Sequence, residues 1–130
     1  MRHTAKTVAS TIRKLDERQQ TYTVRLLLPN NEERVISVSG DEFILAAAYR
    51  EGIDLPSMCL QGWCVTCAGR VEGEGAWDQS ASLRYYDADR QAGFILLCTA
   101  QPRSDLVIRT HQRVALRDYR TERGLPVPRG

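Results

Sequence analysis

Apolar and polar residues alternate with a period of two along Arg34-Val35-Ile36-Ser37-Val38, and Thr21 to Leu28 is rich in residues that favour extended backbone. With Pro29-Asn30-Asn31 supplying turn chemistry between them, residues 21–39 read as a β-hairpin. Asp41 is placed to cap a helix running from Glu42 to Glu51, and Gly52 to end it in the left-handed conformation. Periodicity is then lost across residues 53–67, which hold Pro56, Gly62 and three cysteines. That segment predicts a long ordered loop organised by something other than side-chain packing. Ala68 to Glu72 predicts a short strand followed by a Gly73-Glu74-Gly75 turn, and Asp87 to Gln91 a short helix ended by Gly93. Phe94–Thr99 and Leu106–Thr110 predict two more strands about a Pro102-Arg103-Ser104 turn. From His111 onward, with Pro126, Pro128, Gly124 and Gly130, the chain is expected to fray to coil. Strand outweighs helix, and no internal repeat is visible.

The chain has 130 residues, of which 42% are hydrophobic and 26% charged, an ordinary composition for one small folded domain. Two packed enzyme domains do not fit in that length. A net charge of +2 is too even to announce nucleic acid or an anionic membrane as the partner. Its distribution is more informative. Residues 1–20 carry five Lys and Arg against two acids, and residues 111–130 carry five Arg against two acids. Between them lie eight Arg and twelve acids, an acidic body with two basic ends. The longest apolar runs, Phe43–Tyr49 and Phe94–Cys98, are far shorter than a membrane span, so no membrane insertion is expected. The N-terminus has only a faint resemblance to a transit peptide, weakened by Asp16 and Glu17, and is read as a basic extension. The division expected is 1–20 as that extension, 21–111 as the body and 112–130 as a basic tail.

The chemistry resides in the cysteines at 59, 64, 67 and 98, spaced Cys-x4-Cys-x2-Cys with thirty residues between the third and the fourth. Neither a secretory signal nor a poor apolar core argues for a disulfide framework. Four-cysteine zinc sites usually come as two short knuckles, whereas Cys98 stands alone on an apolar strand. Three ligands from one loop and one from a distant strand suit a larger inorganic unit, and the loop spacing is that of plant-type 2Fe-2S centres. Zinc, a disulfide and thiols without an inorganic role are the remaining readings. A cluster rich in sulfur acceptors needs donors around it. Gly62 lets the loop wrap closely, Ser57 and Thr66 offer hydroxyls, and Pro56 stiffens the approach.

The run Leu55-Pro56-Ser57-Met58-Cys59-Leu60-Gln61-Gly62-Trp63-Cys64-Val65-Thr66-Cys67-Ala68-Gly69-Arg70-Val71 resembles the cluster loop of plant-type 2Fe-2S ferredoxins of cyanobacteria and chloroplasts. Thr21-Tyr22, Phe43 to Ala48, Asp78-Gln79-Ser80, Leu97 to Asp105 and Thr110-His111 are similar to other parts of that family, so the likeness spans residues 21–111. It implies an α+β fold of the β-grasp (ubiquitin-like) type, with a mixed sheet packed on a helix. It also implies a 2Fe-2S cluster as cofactor, ligated by Cys59, Cys64, Cys67 and Cys98, and one-electron transfer rather than enzymatic catalysis. A cluster charge of about −2 that falls to about −3 on reduction accords with a potential near −400 mV for the class. Transient redox partners follow: a strong donor such as photosystem I or a flavin reductase, and an acceptor reductase or oxygenase. The expected state is a monomer, in bacterial cytoplasm or chloroplast stroma.

Departures from the family narrow the partners. Family members carry acids just beyond the Thr-His pair, whereas His111 is followed by Gln112-Arg113-Val114-Ala115-Leu116-Arg117, which argues against docking on the ordinary ferredoxin–NADP reductase. The segment after Gln79 lacks the usual phenylalanine, and Tyr85 or Tyr86 is positioned to replace it. Trp63 stands where a small residue is common and is a candidate docking anchor or water screen. These features suggest a specialised ferredoxin of a photosynthetic organism. The competing class is a redox-responsive interaction module whose cluster state alters binding through the basic ends. His3 and His111 have no second ligand nearby in sequence, Asp87 and Asp89 read as a helix cap, and Glu72 and Glu74 as solvent-exposed turn residues.

Overall fold

The computed structural model describes residues 17–58, 60–61 and 65–127. Strand β1 (Thr21–Leu27) pairs antiparallel with β2 (Glu33–Ser39), in register from Thr21↔Ser39 to Leu27↔Glu33. Alternation sends Tyr22, Val24, Leu26, Ile36 and Val38 into the core. In the connecting turn Asn30 and Asn31 take φ of 65° and 60°, left-handed values that asparagine tolerates better than most residues.

Helix α1 (Ile44–Arg50) begins two residues later than its expected start and does not use Asp41 as its cap. Asp41 instead accepts a hydrogen bond from the Ser39 hydroxyl (2.6 Å), while the amide of Ile44 donates to the carbonyl of Ala100 (3.0 Å). A distant main-chain acceptor thus satisfies the first helical donor, and no side-chain cap is required there. Gly52 ends the helix at φ +75°, as the sequence predicts. Ala47 and Ala48 are fully buried, and their small side chains let the helix lie close to the segment around Cys98.

The remaining elements are β3 (Ala68–Val71), β4 (Trp77–Asp78), α2 (Asp87–Gln91), β5 (Phe94–Leu96), β6 (Gln101–Pro102), β7 (Leu106–Arg109) and α3 (Arg113–Glu122). Five strands form one mixed sheet in the order β2-β1-β7-β3-β5, with β1 and β7 parallel and the other neighbours antiparallel. A mixed sheet packed on a helix is the β-grasp arrangement of an α+β fold. β4 and β6 make a separate two-stranded ladder, so Gln101 and Pro102 lie in a strand ahead of the turn at Arg103. Burial of Val24, Leu26, Val38, Leu96 and Ile108 at the centre contributes roughly 1.5–3 kcal/mol each.

The C-terminal segment corrects the expectation of coil. α3 runs from Arg113 to Glu122 and buries Leu116 and Arg120, one turn apart on a single face. The amide of Gln112 donates to Ala68 of β3 (2.9 Å), and the Tyr119 hydroxyl donates to the carbonyl of Ala88 in α2 (3.1 Å). The glycine and prolines act only beyond Arg123, with Gly124 at φ +69°.

Candidate metal centre

Two of the four cysteines lie among the described residues, and the sheet brings them together. Cys67 immediately precedes β3 and Cys98 follows β5 by two residues. The pairing Ala68↔Leu96 sets these ends side by side, and the amide of Leu97 donates to the carbonyl of Cys67 (3.3 Å). The strand expected to continue to Thr99 stops at Leu96. Residues Leu97–Thr99 turn as a single 3-10 turn, which carries Cys98 inward. The two Sγ atoms stand 3.2 Å apart, at residues only 3% and 6% exposed. A disulfide needs about 2.05 Å, so the sulfurs converge without being bonded to each other.

Thr66 supports an inorganic occupant. Its Oγ1, one residue before Cys67, is buried with no hydrogen-bond partner among the described residues. An unsatisfied buried hydroxyl costs about 1–3 kcal/mol, and a sulfur-rich group held by the neighbouring thiolate would supply its missing acceptor. The donor set therefore fits a cluster. Ser57 is engaged differently, with its hydroxyl 2.7 Å from that of Tyr49, which lies 2.8 Å from the carbonyl of Leu55. That contact ties the approach to the loop onto α1. Pro56, beside it, is half-buried. Cys59, Gly62, Trp63 and Cys64 lie outside the described residues, as do 1–16 and 128–130.

At the rim, Leu60 takes φ 56°, an uncommon backbone for a leucine, with its side chain turned outward. The amide of Leu83 donates to the carbonyl of Gln61 (2.9 Å), so the 80–86 segment is fastened to the loop. Met58, Leu60 and Leu83 are 64%, 58% and 67% exposed and form an apolar fringe on this face.

Beneath the loop lies a polar cluster that sequence reasoning missed. Gln79 is almost fully buried; its Oε1 accepts from the indole of Trp77 (3.1 Å) and the amide of Leu96 (3.2 Å). Its Nε2 donates to the carbonyl of Leu96 (2.9 Å) and to Ser82 Oγ (2.8 Å). The only trace in the sequence is a glutamine between two polar residues, and its burial depends on contacts seventeen residues away. Tyr85 packs partly buried against the core and donates its hydroxyl to the carbonyl of Phe94, and burial pushes its ionisation well above the ordinary tyrosine value. His111 is exposed, with Nδ1 2.7 Å from the Thr110 hydroxyl. Asp89 does serve at the start of α2, accepting from the amide of Tyr86 (2.9 Å).

Residues 27–103 match the family model described as a 2Fe-2S iron-sulfur cluster binding domain. The chain is 41% identical over 93 residues to a heterocyst ferredoxin of Microchaete diplosiphon, covering 71% of this chain and 93% of that protein. It is also 41% identical over 75 residues to the reductase component of a phenol 2-monooxygenase from Pseudomonas sp. (strain CF600), covering 57% of this chain but 21% of that protein. Among solved structures, pectocin M2 superimposes with a TM-score of 0.65 at 29% identity, over 73% of this chain. The chain spans about a third of pectocin M2, 34% of its length.

Proposed function

The chain belongs to the plant-type 2Fe-2S ferredoxin family, and on that footing we propose that Cys59, Cys64, Cys67 and Cys98 are the four thiolate ligands of its cluster. The protein is an electron carrier; its cluster supplies a site that accepts and releases one electron at a time. The observation that carries the ligand assignment is the buried convergence of Cys67 and Cys98 at 3.2 Å beside the orphaned Thr66 hydroxyl. β3 and β5 hold the two sulfurs in place, and Thr66 aims a donor at the group they bind. The chain transforms no substrate of its own.

Recognition rests on the loop face. Met58, Leu60 and Leu83 supply a small apolar patch, and Trp63, next to Cys64 in the sequence, is the candidate aromatic anchor or water screen. Electron-transfer interfaces are small, below about 1,200 Å², so a patch of this size around the cluster suffices. Residues 112–117 carry no acid just beyond His111, and Arg113 and Arg117 stand there instead, which favours a partner with an acidic or neutral rim. The donor is a strong reductant such as a photosystem or a flavin reductase, and the acceptor a reductase or oxygenase. The likeness to a reductase component of a monooxygenase supports a redox partner of the reductase or oxygenase class. The protein acts as a monomer in a bacterial cytoplasm or a stroma. Among the described residues no helix is long and apolar enough to cross a membrane.

The purified protein is expected to show the visible spectrum and reduced-state EPR signal of a 2Fe-2S centre, with two irons and two labile sulfides. Each Cys→Ser change at 59, 64, 67 or 98 is expected to abolish or visibly alter that spectrum. Metal analysis returning only zinc, or a C98S protein with an unchanged spectrum, would overturn the assignment.

A further inference from the structure

The polar cluster beneath the loop has a direction. Gln79 Oε1 accepts two N–H groups, from Trp77 and Leu96, so the amide can face only one way and its nitrogen must be the donor toward Leu96 O and Ser82 Oγ. Ser82, which accepts that hydrogen bond, has a proton of its own to share, and Thr99 Oγ1 lies 2.6 Å away. Thr99 Oγ1 also stands 3.3 Å from Gln79 Nε2; the two protons of that nitrogen serve Leu96 O and Ser82 Oγ at shorter range, and it offers no acceptor to the Thr99 proton. With Ser82 donating to it, Thr99 has its own proton to give, and the Sγ of Cys98 stands 3.8 Å away to accept it. In the opposite order Ser82 would accept twice, and Thr99 would give its proton to Ser82 rather than to Cys98.

We propose that Thr99 is a potential-setting residue: its hydroxyl, oriented by the Trp77-Gln79-Ser82 relay, donates to the sulfur of Cys98. A donor to a ligand thiolate stabilises whichever state carries more negative charge, and that is the reduced one. The relay therefore raises the reduction potential. Its members come from four separate places in the chain, β4, the stretch after it, the 80–86 segment and the turn after β5. Their convergence beneath one ligand also stiffens the turn that presents Cys98.

The inference rests on Cys98 being a cluster ligand, and its test separates the two. Thr99→Val keeps the branched shape and loses the hydroxyl, whereas Thr99→Ser keeps the hydroxyl and loses the methyl. The visible spectrum is read first; a wild-type protein without a 2Fe-2S spectrum overturns the ligand assignment and the relay with it. With the spectrum intact, T99V is expected to show a more negative midpoint potential than wild type and shifted Fe–S(Cys) bands in resonance Raman. T99S is expected to hold wild-type values of both. Equal potentials in T99V and wild type overturn the relay alone, and so does a T99S protein that follows T99V. If T99V fails to hold a cluster, Thr99→Ala is read by the same criteria. If that fails as well, a T99S protein that holds the cluster at the wild-type potential, where both hydroxyl-free variants lose it, supports the proposal, and a T99S protein that loses the cluster with them overturns it.

Discussion

Arg120 of α3 and Asp89 of α2 form an ion pair with both side chains fully buried, Nη2 to Oδ2 at 2.7 Å and Nε 3.2 Å from each carboxylate oxygen. The guanidinium also lies over the ring of Tyr86 at 4.9 Å, and its Nη1 has no partner among the described residues. Taking two charges out of water is costly, and their attraction offsets it only while both are present. Arg120→Met is therefore expected to cost about 3–5 kcal/mol in urea unfolding, by stranding a buried carboxylate. Arg120→Met combined with Asp89→Leu should recover part of this loss. Recovery is incomplete because Asp89 also caps α2 through the amide of Tyr86. An Arg120→Met protein as stable as wild type would show that the pair contributes nothing.

Thr66→Val should separate the empty scaffold from the loaded protein. Without a cluster it removes an unsatisfied buried hydroxyl and is expected to stabilise by about 1 kcal/mol. With a cluster it removes a donor, and the midpoint potential should fall. Thermal unfolding of the apo-protein and voltammetry of the holo-protein give the two signs, which a purely steric effect would not split.

Gly69 sits in β3 where a Cβ would meet Ile108 Cγ2 at 2.8 Å and the Arg109 carbonyl at 3.2 Å. Gly69→Ala must push β7 away from β3, at a cost of about 1–3 kcal/mol. Because β3 positions Cys67, the same change is expected to shorten the lifetime of the cluster in air. Bleaching of the visible band, followed against time, measures it.

Asp78 supplies the pH dependence. Its carboxylate accepts from the Ser80 hydroxyl and amide, with Arg103 3.5 Å away, and these hold its ionisation below the ordinary aspartate value despite partial burial. A carboxyl with a lowered folded pKa binds fewer protons folded than unfolded. Its stabilisation is complete above the unfolded value of about 3.9 and is lost as pH falls through the folded one. Asp78→Asn is expected to lower stability at neutral pH and to flatten its decline below about pH 4. An unaltered acid limb in D78N would show that the lowered value belongs to another group.

The hairpin, the loop and the short helix at Asp87 were legible because their signals are local. Alternation, Pro-Asn-Asn and the cysteine spacing each lie within a few residues. What escaped was fixed at long range. The start of α1 follows a carbonyl at residue 100, and β4 and β6, at two residues each, are too short for any period to register. α3 was masked by the glycine and prolines at its far end, while the feature that fastens it, Arg120 to Asp89, joins residues 31 apart. The cysteines proposed as ligands stand out in the sequence through their spacing. Their supporting polar cluster does not, because Gln79, Ser82 and Thr99 become neighbours only once β4, β5 and the intervening segment are in place.

The strand order has a further consequence. The β1–β2 hairpin and the β3–β5 pair that carries Cys67 and Cys98 are each built from nearby sequence, yet β7 alone joins them, through Val24↔Leu106 on one side and Val71↔Ile108 on the other. The strand at the centre of the sheet is thus the last one in the chain. Until it inserts, the two halves share no ladder, and if it leaves they part together. Its amides should be among the slowest in the molecule to exchange with solvent, opening only when the whole sheet does.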